Sequence, residues 1–296
     1  MLVYGLDFTS APSVKASKAV HQKRLTLATC WLENRQLTVQ EFRSLNGSQP
    51  NDFTEIKQWL ETPGPWIAGL DFPFAMPAQL VKELHWPSSW DAYIDLVHGL
   101  GKQGFVDLLA DYKQSKPAGQ KELRRICDAL AGSISPMKMY GVPVGKMFFA
   151  GAPLLRNAMI SIPFLRPIQR KPIAVETYPA MVARKFIGRT PYKTDQRRLA
   201  TKAMSDARTQ LLRAISNTST TNVEPTILNQ YQLCVTISTK LQQQCIDDHT
   251  ADQLDSVLCA IQAAWAWTQR DNRFGCPQDV DRCEGWIYDP AVKHTP

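Results

Sequence analysis

The sequence predicts an α/β fold: a mixed five-stranded sheet flanked by helices, with a large, mostly helical insertion between the fourth and fifth strands. Three observations carry this. Apolar runs of strand length recur at 1–8, 24–33, 36–45, 65–72 and 171–180. Longer stretches with helical spacing lie between and after them. The tetrapeptide GLDF occurs twice, in "VYGLDFTSAP" (3–12) and "IAGLDFPFAMP" (67–77), and each copy ends an apolar run on an aspartate.

Residues 1–8 form the first strand. "RLTLATCWLE" (24–33) alternates through Leu25, Leu27, Thr29 and Trp31, and "QLTVQEFRSL" (36–45) follows after Asn34-Arg35. Two alternating runs about an Asn-containing turn predict a β-hairpin. In "DFTEIKQWLE" (52–61) the spacing of Phe53, Ile56, Trp59 and Leu60 predicts a helix capped by Asn51 or Asp52. "PWIAGLDF" (65–72) is apolar almost throughout, as a strand covered on both faces would be.

Residues 77–171 form the insertion, within one domain spanning 1–296. Helical spacing recurs in "SSWDAYIDLVHGL", "GFVDLLADY" and "KELRRICDALA", whereas the Gly- and Pro-broken 135–155 predicts a packed loop or lid. "KPIAVETYPA" (171–180) is a short buried strand, with Pro179 placed to open a helix. A basic amphipathic helix over 193–215, a linker at 216–225, a helix over 228–244 and a strong last helix over 251–268 complete the chain. Thr250 and Gln253 match a capping box at the start of that helix.

Composition is that of a globular protein, 44% apolar and 21% charged, and no apolar run is long enough to span a bilayer. The N-terminus lacks a basic n-region and reads as a strand, not a signal peptide. Seven scattered cysteines without a C-x-x-C pair predict reduced thiols in a cytoplasmic protein. The net charge of +7 is uneven. Residues 166–213 hold twelve Lys and Arg against three Asp and Glu, and 9–24 add four positives with no acid. Basic segments beside isolated aspartates point to a polyanion such as nucleic acid, the alternative being solvated helix surface. Arg184, Lys185, Arg189, Lys193, Arg197 and Arg198 are the candidate phosphate contacts.

In the last helix, Leu254, Val257, Leu258, Ile261 and Trp265 form the buried stripe, and Asp255 falls on its margin. Asp252 lies one turn earlier, where the helix dipole favours an acid in any case. Parallel neighbouring strands bring their C-terminal ends together. If the first and fourth strands are neighbours, Asp7 and Asp71 lie side by side, and the last helix delivers Asp255 and Asp252 to them. Carboxylates gathered without a histidine or cysteine set favour Mg²⁺ or Mn²⁺ over zinc. Two such ions clamp the attacking and leaving oxygens of a phosphodiester.

The order strand-strand-strand-helix-strand, with Asp on strands one and four and a late Asp-x-x-Asp helix, resembles the ribonuclease H-like fold, and that helix is similar to the one in Holliday-junction resolvases. More narrowly, "GLDFTSAP", "GLDFPFAMP", "VETYPA", "DSVLCAIQAAW" and "EGWI" (284–287) resemble the domain-of-unknown-function family 429, whose members are predicted RNase H-like nucleases. The resemblance covers residues 5–287 and implicates Asp7, Asp71, Glu176 and Asp255 in catalysis. Glu284 also fits its pattern, and the resolvase likeness implies a possible homodimer. Glu176 follows an apolar run, so it is either a further ligand or one half of a buried ion pair.

The reading is thus a metal-dependent nuclease. The alternatives are a catalytically inactive nucleic-acid-binding or assembly protein on the same fold, and a phosphohydrolase or phosphotransferase acting on nucleotides. "GLGKQG" (99–104) lacks the context of a phosphate loop, and Ser10 lacks a G-x-S-x-G elbow. Cys245, His249 and Cys259 are core residues before they are a zinc site. Trp86 and Trp90 are candidates for base stacking, with burial the stronger reading. Arg124, Arg125 and Asp128 are candidates to face the site and Lys138 and Lys146 for phosphate contact, with ordinary helix-surface or loop charge the stronger reading for all five.

Overall fold

The computed structural model describes residues 1–12, 24–49, 51–217 and 226–293. Most of the 9–24 basic stretch and of the 216–225 linker lies outside the described residues.

Among the described residues the strands are β1 (Leu2–Asp7), β2 (Thr26–Glu33), β3 (Gln36–Ser44), β4 (Trp66–Leu70), β5 (Ile173–Glu176) and β6 (Cys234–Ile237). They form one mixed sheet in the order β5-β4-β1-β2-β3-β6. The β1-β2 and β2-β3 pairs are antiparallel, as the hairpin pattern predicts, and β1-β4, β4-β5 and β3-β6 are parallel. The helices are α1 (Thr54–Leu60), α2 (Ala78–Glu83), α3 (Trp90–Gly99), α4 (Gly101–Gln114), α5 (Ile126–Ala131) and α6 (Val144–Asn157). After β5 come α7 (Pro179–Ile187), α8 (Lys202–Ser216), α9 (Ile227–Tyr231), α10 (Thr239–Asp247) and α11 (Asp252–Thr268). No helix is long and apolar enough to cross a membrane among the described residues.

The sheet separates two cores. Val3, Ile67 and Val175 face one side, where α7, α8, α10 and α11 pack. Tyr4, Leu6, Ala68, Leu70 and Ala174 face the other, against α1 and the insertion helices α2, α3, α4 and α6. Because successive strand residues alternate faces, Gly5 and Asp7 share the α11 face with Val3, and Gly69 shares it with Ile67.

Those glycines decide how close the helix comes. A Cβ on Gly5 would lie 1.9 Å from the Ser256 carbonyl oxygen, and one on Gly69 would lie 2.3 Å from that of Cys259. Any side chain at either position would push α11 off the sheet. In each GLDF copy the glycine admits the helix backbone, and the aspartate two residues on stands beside the helix start.

Four expectations are corrected. The sheet has six strands, not five: residues 228–244 are no single helix but α9, β6 and α10. Leu233, Val235 and Ile237 are buried while Thr236 is exposed, a period-two pattern. The 135–155 stretch contains the helix α6, with Pro153 inside it. Gly151 is there because the Phe72 ring stands 2.5 Å from where its Cβ would be, so packing overrides low helix propensity. Residues 193–201 are not helical apart from one 3₁₀ turn at Arg197–Leu199. There the Thr194 hydroxyl accepts from the Gln196 N–H, a local bond that competes with helix. Finally, α11 starts without the Thr250 capping box. Asp248 instead accepts from the Thr250 N–H and hydroxyl and from the Gln253 N–H, with Ala251 in the left-handed region at φ 58°.

Candidate active site

Strands β1 and β4 are parallel neighbours with Leu6 opposite Leu70, and the Asp71 N–H donates to the Leu6 carbonyl at 3.1 Å. Asp7 and Asp71 therefore leave adjacent strand ends on the α11 face. α11 brings Asp252 and Asp255 to the same place from above. Asp255 is 1% exposed; Asp7, Asp71 and Asp252 are partly buried.

Asp255 is held on both oxygens. Oδ1 accepts from the Tyr192 hydroxyl at 2.8 Å and Oδ2 from the Lys193 ammonium at 2.5 Å. The segment carrying these two residues is itself tied down. Buried Arg208 donates through Nη1 to the Tyr192 carbonyl and through Nε and Nη2 to that of Ile246. Thr194 and His249 exchange a further pair of bonds, the Thr194 N–H to the His249 carbonyl and His249 Nδ1 with the Thr194 carbonyl.

The charges are out of balance. Burial, then the negative charges of Asp252, Asp255 and Asp71, push the Asp7 carboxyl well above the usual carboxylate range against the pull of Lys193. Burial raises Asp71 to about 7, opposed by Lys193 and assisted by Asp255 and Glu176. Asp252 also rises to about 7, through burial and then Asp248 and Asp255. Lys193 is the cation of the cluster. Desolvation works against its charge although the side chain stays 44% exposed, and Asp255, Tyr192 and Asp7 outweigh it to hold the ammonium well above the ordinary lysine value.

Glu176 does not join this group, and strand parity is the reason. It pairs with Leu70 across β4-β5 and so faces the opposite side of the sheet from Asp71. There it meets Arg125, expected to be a surface charge but 1% exposed. All five guanidinium N–H groups are used: Nε and Nη2 donate to Asp128, Nη1 and Nη2 to Glu176, and Nη1 also to the Glu284 carbonyl. Glu176 accepts the Phe74 N–H as well. It is the buried half of an ion pair joining the insertion to the sheet. Glu284 has a similar office, its two oxygens accepting the first N–H groups of α2 (Ala78) and α5 (Ile126) at 2.9 and 3.0 Å.

The six basic candidates separate. Lys193 is in the cluster, and Arg197 lines an open polar cleft with Arg24, Asp248 and His249. Arg184 donates to the carbonyls of Ala131 and Gly132 and lies 5.1 Å from the Tyr178 ring centre. Lys185 is bound to Asp289 and the Tyr231 hydroxyl. Both make internal bonds in this structure. Arg189 and Arg198 are exposed, Arg198 bonding to Gln196. Trp86 and Trp90 are buried, as are Cys245 and Cys259, and all seven cysteines are free thiols. Sequence reasoning missed Tyr192 and Arg208, since one sits in an irregular segment and the other within a run of helix-surface charge.

Among the described residues no group of three or more His, Cys, Asp or Glu side chains stands arranged to hold a metal ion. The donor chemistry, all carboxylate oxygen, still fits a hard divalent cation, and the Asp7, Asp71 and Asp252 carboxyls are raised first by burial and then by neighbouring carboxylates. Lys193 supplies positive charge among them. No protein-family model, curated protein or solved structure matches the chain.

Proposed function

We propose that this protein is a metal-dependent phosphodiesterase acting on nucleic acid, on a ribonuclease H-like fold. One observation carries the reading: Asp7 and Asp71 leave adjacent parallel strand ends within electrostatic reach of Asp255 on α11, with Asp252 also acting on Asp7 and with one lysine among the four acids. Asp7, Asp71, Asp252 and Asp255 would hold Mg²⁺ or Mn²⁺, which when bound activates water and neutralises charge on the phosphate. The chain's own residues set the place. Tyr192 orients Asp255, Arg208 fixes the backbone of Tyr192, and Lys193 stands where a phosphate oxygen would find a positive partner. The strand-strand-strand-helix-strand order at the head of the chain and the Asp-x-x-Asp start of α11 support the fold assignment.

The test is calorimetric titration with Mn²⁺ of the wild type and Asp71→Asn, followed by incubation with single-stranded and duplex oligonucleotides. Saturable binding and Mn²⁺-dependent cleavage, both lost in the variant, are expected. Cleavage that survives Asp71→Asn would overturn the assignment.

A second reading, a nucleic-acid-binding protein without catalysis, draws on the Lys193–Asp255 ion pair, in which a lysine neutralises one of the acids. It predicts oligonucleotide binding that is indifferent to Mn²⁺ and to Asp71→Asn.

A further inference from the structure

Beside the carboxylate cluster lies a cavity of about 360 Å³ that shares Asp71 and Lys193 with it as lining residues. Its volume is at the small end of the ~300–1,000 Å³ range of small-molecule sites, and a stacked duplex cannot enter it. The walls are apolar, formed by Phe72, Ile134, Val142, Val144 and Met147, with the Tyr178 ring among them. Arg184 holds that ring in place by lying against it while donating to the Ala131 and Gly132 carbonyls.

Three of the polar residues that also line the cavity have little to offer a ligand, whereas the buried Thr177 hydroxyl makes no hydrogen bond of its own. Arg125 has no N–H to spare, and Asp128 already accepts from Arg125 and from the Ser133 hydroxyl. Glu176 accepts from Arg125 and Phe74. What enters is therefore recognised chiefly by flat apolar contact, with the Thr177 hydroxyl left to offer a single polar contact.

The rim carries a separate sign. Val142, which lines the cavity, is 61% exposed, and Tyr140, two residues earlier, is 64% exposed. The ammonium of Lys138 lies 5.1 Å from the Tyr140 ring centre and that of Lys113 5.9 Å, the latter also paired with Glu122 and donating to the Met137 carbonyl. An exposed ring flanked by lysines is how single-stranded nucleic acid is held without regard to sequence.

We infer that this cavity takes one unstacked nucleobase, adjoining the phosphate at the carboxylate cluster, and that the substrate class is single-stranded nucleic acid or a nucleotide displaced from a duplex. The inference rests on the phosphodiesterase reading, because it takes the cluster as the place of the phosphate. An apolar cavity sharing two residues with an anion-handling centre suits a ligand that is flat and apolar at one end and anionic at the other. A nucleotide is that, and extrusion from the stack is the means by which a paired base would reach it.

The experiment measures binding by calorimetry in Mn²⁺ buffer with three probes: adenosine 5′-monophosphate, ribose 5-phosphate and octanoate. Adenosine 5′-monophosphate should bind at least tenfold more tightly than ribose 5-phosphate. Val142→Trp, at an exposed position, and Met147→Trp should each erase that difference, with thermal melting to verify that both variants fold. Equal affinity for the two phosphates, binding of neither, a difference that survives both substitutions, or a preference for octanoate would overturn the inference. The readout is binding, so the two claims fail separately. A protein that prefers the base-bearing probe but cleaves nothing refutes the phosphodiesterase reading alone, and one that cleaves while ignoring the base refutes the pocket alone.

Discussion

Asp71 shows what the cluster costs the fold. Its carboxyl titrates at about 7 in the native state, mainly through burial, against about 3.9 in an unfolded chain. The native state therefore holds this proton more tightly. The associated stability is fully present below pH ~4, declines as pH rises from ~4 to ~7, and is absent above that range. Asp7 and Asp252 are shifted the same way. Metal-free wild type should thus melt at higher temperature near pH 5 than at pH 8. Asp71→Asn should flatten part of that slope and stabilise the protein at pH 8 by roughly 1–2 kcal/mol. Thermal denaturation across that pH range checks both, and an unchanged slope would mean Asp71 is ionised throughout. The aspartates were legible in the sequence because each ends an apolar run after the same glycine. Glu176 misled because it too ends an apolar run, and only the register of β5 on β4 reveals that it faces away from them. Tyr192 and Arg208 left no periodic signal, since hydrogen bonding to a distant segment has none.

Among elements, α11 positions the site, and its approach to the sheet depends on Gly5 and Gly69. Gly5→Ala would place a methyl 1.9 Å from the Ser256 carbonyl oxygen, and displacing a central helix should cost about 3 kcal/mol or prevent folding. Gly99→Ala is the matched control. It lies in α3 with nothing within 4 Å of its would-be Cβ, so it should stabilise by roughly 0.5–1 kcal/mol through helix propensity. Urea denaturation of the pair separates close packing from backbone freedom, and similar behaviour of both would refute this account of GLDF. Periodicity made β1 to β5, α1, α3 and α11 legible, because each presents one regular face to a core. It failed at α6, where Gly151 stands for contact with Phe72 and not for a loop, and Pro153 lies inside the helix. It failed also at β6, a strand of four residues between two helices, too short for its alternation to outweigh its surroundings.

Across the whole molecule, Arg125 joins the insertion to the sheet and to the C-terminal segment through Asp128, Glu176 and the Glu284 carbonyl. Arg125→Leu leaves two buried carboxylates facing each other and should cost about 3–5 kcal/mol. Removing the charges together, as Arg125→Leu with Asp128→Asn and Glu176→Gln, should recover a large part of that loss. Urea unfolding measures both, and a loss no smaller in the triple variant would show that the guanidinium contributes by packing rather than by charge. Only the Glu176 end of this network was legible in sequence, as one half of a buried ion pair, because a carboxylate after an apolar run needs a partner; the other members come from distant stretches and each alone is an ordinary helix or loop charge. Those distances bear on how the centre comes into being. Asp255 lies on α11, close to 250 residues after Asp7 in the chain. Loop closure over such a separation comes late in folding. A chain still growing on the ribosome can complete its hairpin of β2 and β3, but it has no assembled carboxylate centre until α11 has been made, so any activity of that centre is withheld from a nascent chain that has not yet reached it.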